Sequence, residues 1–183
     1  MTQIFLGYPP EHIKNWIIEH SKPAAKAETH IKFTDGTEGD YLIEGTMDCP
    51  ALIAAGLMPE GSGTEIEPYW PKHPLEINVG GAVTSIGTYA FSACDRLTSI
   101  TIPDSVMSIG DDAFSGCAGL TGITIPDSVT SIGDSAFVGC HGLTDVTFSS
   151  KDKAMVQSME NYSWNLYSGC VLHCTNGDIT ISE

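Results

Sequence analysis

In this chain of 183 amino acids, the cysteines are the residues whose side chains could most evidently take part in chemistry. Three of them, Cys94, Cys117 and Cys140, follow one another at intervals of 23 residues. If the intervening segments fold alike, their thiols come close enough for a disulfide bond or for metal binding. The alternative is that they remain free and pack as small apolar side chains. Since the sequence has no Cys-x-x-Cys pair near a histidine, the last interpretation is favoured.

A second group, Cys170, His173 and Cys174, contains the residue types of a nucleophilic or zinc site. On an extended strand, Cys170 and Cys174 face the same side but are separated by about 13 Å, too far to share one metal ion. His173 then points to the opposite side. No base and orienting group accompany it in sequence. We therefore predict no enzyme, no catalytic residue, no metal ion and no cofactor.

Acidic residues recur with the same period as the cysteines. They are Asp104, Asp111, Asp112, Asp127 and Asp134. Stacked carboxylates could hold calcium, but these segments lack the dense Asp and Gly spacing of a dedicated calcium motif. Turn formation and helix capping explain them better.

The charge of the chain restricts its partners. It has 8 Lys and Arg against 23 Asp and Glu, which gives a net charge of -15. Such a surface repels phosphate backbones and anionic lipids, so we expect no nucleic-acid partner. The longest apolar run, residues 51–58, is too short for membrane insertion. The first ten residues lack the features of a secretory signal peptide, and this leaves the compartment undecided.

A repeat of 23 residues must position these side chains. Residues 97–106 (LTSITIPDSV) closely match residues 120–129 (LTGITIPDSV). The pattern Ile-Gly, Ala-Phe and Cys occurs three times, beginning at Ile86, Ile109 and Ile132. A degenerate copy extends the array, which runs over residues 75–148. A fixed period of this length indicates a leucine-rich-repeat solenoid with one continuous core.

The first half of each repeat has the pattern of a strand. Ile100 and Ile102 alternate with Ser99 and Thr101, so one face of the strand is buried and the other is exposed. Pro103 then ends the strand, because proline lacks the amide that a ladder needs.

The second half of the repeat returns the chain across the core. Gly110 is expected to hold a positive φ in a tight turn, so that valine there would damage the coil. Asp111 or Asp112 is expected to cap a short helical turn. From this turn Phe114 and Cys117 point inward, and the equivalent phenylalanines of neighbouring coils meet in the core.

The consensus L-T-x-I-T-I-P-x-S-V-x-x-I-G-x-x-A-F-x-x-C resembles the BspA-type leucine-rich repeat of bacterial proteins. The resemblance covers roughly residues 75–148. It implies an α/β fold, namely a short right-handed leucine-rich-repeat solenoid with a parallel sheet. It also implies a cell-surface or secreted protein that acts in adhesion and protein binding rather than in catalysis.

Both flanks of the array are predicted to be helix-plus-hairpin caps, because a solenoid cut at its ends would expose core and strand edges. The N-terminal module, residues 1–74, has a helix within 10–20 and strands at 30–33 and 41–44 around a loop at 34–40. A short helix follows Asp48, and a Pro-rich connector begins at residue 59. The C-terminal cap, residues 149–183, has a helix at 152–160 and a hairpin of strands 171–174 and 178–181.

The outward positions of the repeat strands form the natural ligand face. Those that we expect to bind a ligand are Glu76, Asn78, Ser99, Thr101, Thr124, Asp145 and Thr147. This face is small, polar and rich in hydroxyl groups, and it lacks the aromatic and arginine anchors of tight interfaces. The alternative is that such residues merely suit a solvated sheet.

Tyr69 and Trp70, held between prolines, are a further candidate. They could anchor a partner or a sugar ring, or they could clamp the N-terminal module onto the first coil. Together these features predict a non-enzymatic module that recognises a protein or a glycan. The alternative is a structural or assembly component of mobile-element or phage origin, since similar repeats occur in such proteins. The oligomeric state is left open.

Overall fold

The structure, a computed structural model, describes residues 28–58, 70, 72–159 and 164–182. Its strands are β1 (Thr29–Phe33), β2 (Glu38–Tyr41), β3 (Gly45–Met47), β4 (Pro74–Asn78), β5 (Val83–Ile86), β6 (Ser99–Thr101), β7 (Ser108–Ile109), β8 (Gly122–Ile125), β9 (Ser131–Ile132), β10 (Asp145–Phe148), β11 (Val171–Cys174) and β12 (Gly177–Thr180). The helices are α1 (Cys49–Ala54) and α2 (Lys153–Gln157). The helix predicted within residues 10–20 lies outside the described residues.

The strands form three four-stranded sheets. Their orders are β2-β1-β4-β6, β12-β11-β10-β8 and β3-β5-β7-β9. Along the repeats, parallel partners are 23 residues apart, as in Ile77 opposite Ile100 and Ser108 opposite Ser131. β6 of the first sheet lies next to β8 of the second. The predicted leucine-rich-repeat solenoid with parallel sheets is therefore confirmed.

A column of aromatic rings runs through the core. Phe91, Phe114 and Phe137 are fully buried, and neighbouring rings stack with centroids 5.4 and 5.5 Å apart. Trp70 continues the column at 6.1 Å from Phe91. Equivalent residues of successive repeats thus lie directly above one another, as the 23-residue register requires.

The segment that follows Gly110 is not the short helical turn that the sequence predicted. Alternate amides bond to the next coil: Phe114 N donates to Ala136 O at 2.9 Å, and Gly116 N donates to Val138 O at 2.7 Å. Asp112 adopts a left-handed φ of 50°. The intervening amides, those of Ser115 and Cys117, close local turns onto Asp112 O and Phe114 O at 3.0 and 3.1 Å. The helical prediction was wrong because bonds to the next coil alternate with these local bonds and interrupt the continuous series that a helix needs.

Gly110 itself has no positive φ, so the reason that we expected for this glycine was wrong. It is required by close packing. A Cβ atom at this position would lie 2.6 Å from Thr88 N and 2.8 Å from Gly87 C in the preceding coil. The glycine corner therefore lets two backbones approach more closely than any side chain allows.

The hairpin of β1 and β2 extends the first sheet at its N-terminal end. β1 pairs antiparallel with both β2 and β4. β2 begins at Glu38, earlier than predicted, because the turn is only four residues long. The carboxylate of Asp35 accepts hydrogen bonds from the hydroxyl and the amide of Thr37, at 2.6 and 2.9 Å, and these lower the pKa of Asp35 to about 2.

The C-terminal cap adds two strands to the second sheet, the first parallel and the second antiparallel. β11 pairs parallel with β10, and β12 returns antiparallel to β11. α2 is shorter than the predicted helix, and Asp152 caps it by accepting a hydrogen bond from Met155 N at 2.8 Å. Lys151 is buried nearby, where its ammonium group donates to the carbonyls of Pro126 and Asp127 at 3.3 and 3.0 Å. This lysine ties the segment that follows β10 to the turn that follows β8.

Candidate binding face

The exposed side chains of the first two sheets form a surface that we call the outer strand face. Its first row consists of Glu38, Lys32, Glu76 and Ser99 on the first sheet, followed by Gly122, Asp145, Val171 and Thr180 on the second. Its second row consists of Asp40, His30, Asn78 and Thr101, followed by Thr124, Thr147, His173 and Asp178. Between them lies an inward row that includes Ile77 and Val146.

The centre of this face carries uncharged polar groups. Ser99, Thr101, Thr124, Thr147 and Asn78 are all exposed. Asn78 lies opposite Thr101, and Thr124 lies opposite Thr147. Registered strands hold such neighbours about 4.8 Å apart. The repeat therefore presents a short array of hydroxyl and amide groups at fixed intervals.

Glu76, one of the two charged residues that we expected on this face, is half-buried and paired. The ammonium group of Lys32 on β1 donates a hydrogen bond to Glu76 Oε1 at 3.0 Å, directly across the β1–β4 ladder. Both side chains retain nearly half of their exposure, so this ion pair adds little stability. The ion pair does offset the negative charge of Glu76, at the place where the N-terminal hairpin meets the first repeat.

Asp145, the other charged residue, is also engaged within the chain. The hydroxyl of Thr144 donates to its Oδ2 at 2.6 Å, and His173 Nε2 lies 2.9 Å from its Oδ1. The Thr144 hydrogen bond and then the His173 contact lower the pKa of Asp145. The groups of the predicted ligand set that face solvent without these partners are therefore the uncharged ones.

Sequence reasoning missed that both cap hairpins contribute a histidine–aspartate pair to the second row. His30 Nδ1 lies 2.8 Å from Asp40 Oδ1, and His173 Nδ1 lies 3.1 Å from Asp178 Oδ1. The alternation within each hairpin does indicate which face these residues occupy. It does not indicate that the hairpins join the same surface as the repeats.

Trp70 does not belong to the ligand-binding set, because its side chain is only 4% exposed and stacks on Phe91. This placement fits the alternative prediction, in which Trp70 clamps the N-terminal module onto the first coil. Tyr69 lies outside the described residues.

The recurring cysteines form a buried column of free thiols. Cys94, Cys117 and Cys140 are at most 1% exposed. Cys117 Sγ donates to Phe91 O at 3.2 Å, and Cys140 Sγ donates to Phe114 O at 3.0 Å. Burial raises the pKa of Cys94 well above its ordinary value. These contacts fit the structural interpretation of the thiols.

Cys170 is also buried, and burial raises its pKa to about 11, whereas Cys174 is half-buried. We expect alkylation of the native protein by iodoacetamide to modify Cys174 first, because access and thiolate formation limit this reaction. The buried column should react only after unfolding in urea. Peptide mass spectrometry over time measures both rates, and rapid native labelling of Cys117 would contradict the buried column.

The recurring aspartates connect neighbouring coils. Asp111 Oδ1 accepts a hydrogen bond from Asp134 N at 2.8 Å, and Asp127 Oδ1 accepts one from Ser150 N at 2.9 Å. Each bond spans 23 residues, so these carboxylates serve turns of adjacent coils and not a helix cap. In the part of the chain that the structure describes, no group of three or more His, Cys, Asp and Glu side chains could hold a metal ion.

A second surface feature is a groove of about 510 Å³ beside β7 and β9. It is lined by Thr88, Ser108, Ile109, Gly110, Asp111, Ser131, Ile132, Gly133 and Asp134. The groove runs along the glycine corner, past Gly110 and Gly133 of successive coils. It presents fewer exposed hydrogen-bonding side chains in register than the outer strand face does.

The comparisons with known proteins agree with this architecture. Residues 74–177 match the BspA type leucine rich repeat region in six copies, so the match continues beyond residue 148 into the C-terminal hairpin. Neither the search of curated proteins nor that of solved structures found a match. Within the described ranges, neither helix has the length needed to cross a membrane. The chain belongs to the BspA-type leucine-rich repeat family, whose repeats build protein-interaction modules.

Proposed function

We propose that this chain is a non-enzymatic recognition module that binds a protein or glycan through the centre of the outer strand face, in the context of cell-surface adhesion. The observation that carries the proposal is the exposed row of Asn78, Thr101, Thr124 and Thr147, in which parallel ladders hold Asn78 beside Thr101 and Thr124 beside Thr147, and β6 lies next to β8. The flanking carboxylates of Glu76 and Asp145 have partners within the chain, so ligand contact falls to the uncharged centre.

Rigidity supports this assignment. The side chains that alternate with the exposed row, Ile100, Ile123 and Val146, are at most 7% exposed and anchor each strand in the core. A surface fixed in this way loses little conformational entropy when it binds. The module is therefore suited to a ligand that needs several correctly spaced hydrogen bonds.

The chemistry of the face defines the ligand class further. Hydroxyl and amide groups donate and accept hydrogen bonds, so they match the hydroxyl groups of a glycan or the backbone of a peptide. Aromatic and arginine anchors are not among the residues of the central row. Since such anchors dominate tight interfaces, we expect weak binding by a single module and stronger binding by multivalent ligands.

The test is a glycan and extracellular-matrix array probed with the wild-type chain and with two arginine variants. Thr124→Arg places a large cation in the middle of the row and should reduce binding at least tenfold, because every neighbouring contact is displaced. Met107→Arg is the matched control, since Met107 is 57% exposed but lies just before β7, on the third sheet. Equal loss of binding in both variants would contradict the proposal, as would full binding by Thr124→Arg.

A further inference from the structure

The C-terminal hairpin contains a histidine whose two ring nitrogens both face carboxylates. His173 Nε2 lies 2.9 Å from Asp145 Oδ1 on β10, and His173 Nδ1 lies 3.1 Å from Asp178 Oδ1 on β12. A neutral imidazole has one N–H donor and one lone pair. An ionised carboxylate only accepts hydrogen bonds, so a neutral ring can satisfy one of these contacts and opposes the other. Both contacts are hydrogen bonds only when the ring carries two protons.

We propose that His173 is a proton-operated latch, which ties β12 to β11 and β10 when the ring is protonated and releases part of this tie when the proton leaves. The inference does not depend on what the outer strand face binds. It concerns the strand at the edge of the second sheet, where β12 pairs with β11 alone among the described strands.

Because His173 ties the strand at the edge of the sheet, we expect its protonation to affect local opening of the β11–β12 hairpin. Two backbone bonds close the base of the hairpin, from Ile181 N to Cys170 O at 2.9 Å and from Gly169 N to Ile181 O at 2.8 Å. The residues of β12 are mostly exposed, so little apolar burial holds this strand in place. Edge elements of this kind open locally without global unfolding. A tie between side chains on three strands therefore changes the population of the open hairpin.

The charged groups around His173 determine the direction of the pH effect. Asp145 and then Asp178 raise the pKa of His173, while the Thr144 hydroxyl and His173 lower that of Asp145. Two further charged residues, Asp152 and Lys153, lie near the same hairpin, where both act electrostatically on Cys174. Their charges are opposite, so Asp152 raises the pKa of Cys174 and Lys153 lowers it. Because the pKa of His173 is raised on folding, its stabilising effect is complete below the ordinary pKa of histidine. That effect is lost as the pH rises through the raised value.

The other end of the sheet offers a geometric comparison. His30 Nδ1 contacts Asp40 at 2.8 Å, but its Nε2 lies 3.8 Å from Glu38, beyond hydrogen-bond distance. A neutral ring at His30 can satisfy its one close contact by donating from Nδ1. Of these two histidines, only His173 has both ring nitrogens within hydrogen-bond distance of a carboxylate, so the latch is assigned to His173 alone.

The first experiment is an NMR titration of the His173 ring in the full chain. We expect its pKa to lie above the ordinary value and to fall in both Asp145→Asn and Asp178→Asn. Asp178→Glu should restore much of the shift, because it keeps the charge. If either asparagine variant leaves the titration unchanged, the histidine does not bridge both strands and the proposal is wrong.

The second experiment measures amide hydrogen exchange of β12 at pH 6 and at pH 8.5, corrected for the intrinsic pH dependence of exchange. We expect β12 of the wild type to open on the order of threefold more often at the higher pH, as for an exposed ion pair. His173→Gln should remove this dependence. His30→Gln is the control, because His30 contacts Asp40 in the β1–β2 hairpin at the other end of the solenoid and its replacement should leave the dependence intact. The same pH dependence in His173→Gln as in the wild type would overturn the latch.

Discussion

Replacement of Phe114 by alanine is expected to lower the free energy of unfolding by about 3–5 kcal/mol, the usual range for a buried aromatic residue. The ring is fully buried between two others, at 5.4 Å from Phe91 and 5.5 Å from Phe137. Its loss leaves a cavity in the middle of the column and removes two stacking contacts. Because the neighbouring coils are held by backbone ladders, they cannot collapse into the space. Urea denaturation followed by circular dichroism measures the effect.

Tyr167→Ala is the appropriate control for this variant. Tyr167 is 42% exposed, and its ring lies tilted against that of His141, with ring centroids 4.5 Å apart. Its removal should cost less than about 1.5 kcal/mol, since little packing is lost. If Phe114→Ala unfolds at the wild-type urea concentration, the aromatic column does not hold the coils together.

Replacement of Gly110 by alanine should destabilise the chain by at least about 3 kcal/mol, which is at the upper end for overpacking. The added Cβ atom would meet Thr88 N at 2.6 Å and Gly87 C at 2.8 Å. Both atoms belong to the backbone of the preceding coil, so they cannot move aside as a flexible side chain does. The coils must separate locally, and the bond from Gly110 N to Ile86 O at 2.8 Å would lengthen.

Gly122→Ala provides a matched comparison within the same repeat array. A Cβ atom at Gly122 would lie 3.6 Å from Asp145 O, an ordinary contact distance. Since alanine restricts the unfolded chain more than glycine does, we expect stability to stay equal or to rise slightly. Thermal unfolding of Gly110→Ala and Gly122→Ala measures this difference in stability. Equal melting temperatures would contradict the close approach of coils at Gly110.

The repeat itself could be predicted from the sequence in considerable detail. Because 23-residue copies place identical side chains at identical positions, the register of Ile77 with Ile100 and the stacking of Phe114 on Phe91 follow from the period. The same argument predicts that Cys117 is buried, like the equivalent Cys94 and Cys140 of the neighbouring coils. These features depend only on periodicity, which is visible in one sequence.

The turn after Gly110 could not be predicted in the same way. A helical turn and a run of bonds to the next coil bury the same residues, Ala113 and Phe114. Local propensities describe only the first possibility, because the partner carbonyl of Ala136 lies 22 residues away. The left-handed backbone at Asp112 is likewise imposed by the stack, since the equivalent residues of the neighbouring coils, Tyr89 and Ser135, adopt it too, with φ of 58° and 54°.

The arrangement of the outer strand face could be predicted only in part. The exposed row of Thr101, Thr124 and Thr147 follows from strand alternation. The engagement of Asp145 depends on His173, which lies in a different coil and is 28 residues later in the sequence. An alternating pattern assigns a face to each residue, but it does not determine which hairpin will stand beside which strand.

The sheets that carry the outer strand face change from parallel to antiparallel pairing at both ends, between β4 and β1 and between β11 and β12. Each terminal hairpin therefore recognises only the coil next to it, and neither depends on how many coils stand between them. Unequal duplication or deletion of whole 23-residue units can thus alter the length of the molecule while both ends stay closed. The number of exposed hydroxyl and amide groups along the outer strand face would then change in steps of one repeat.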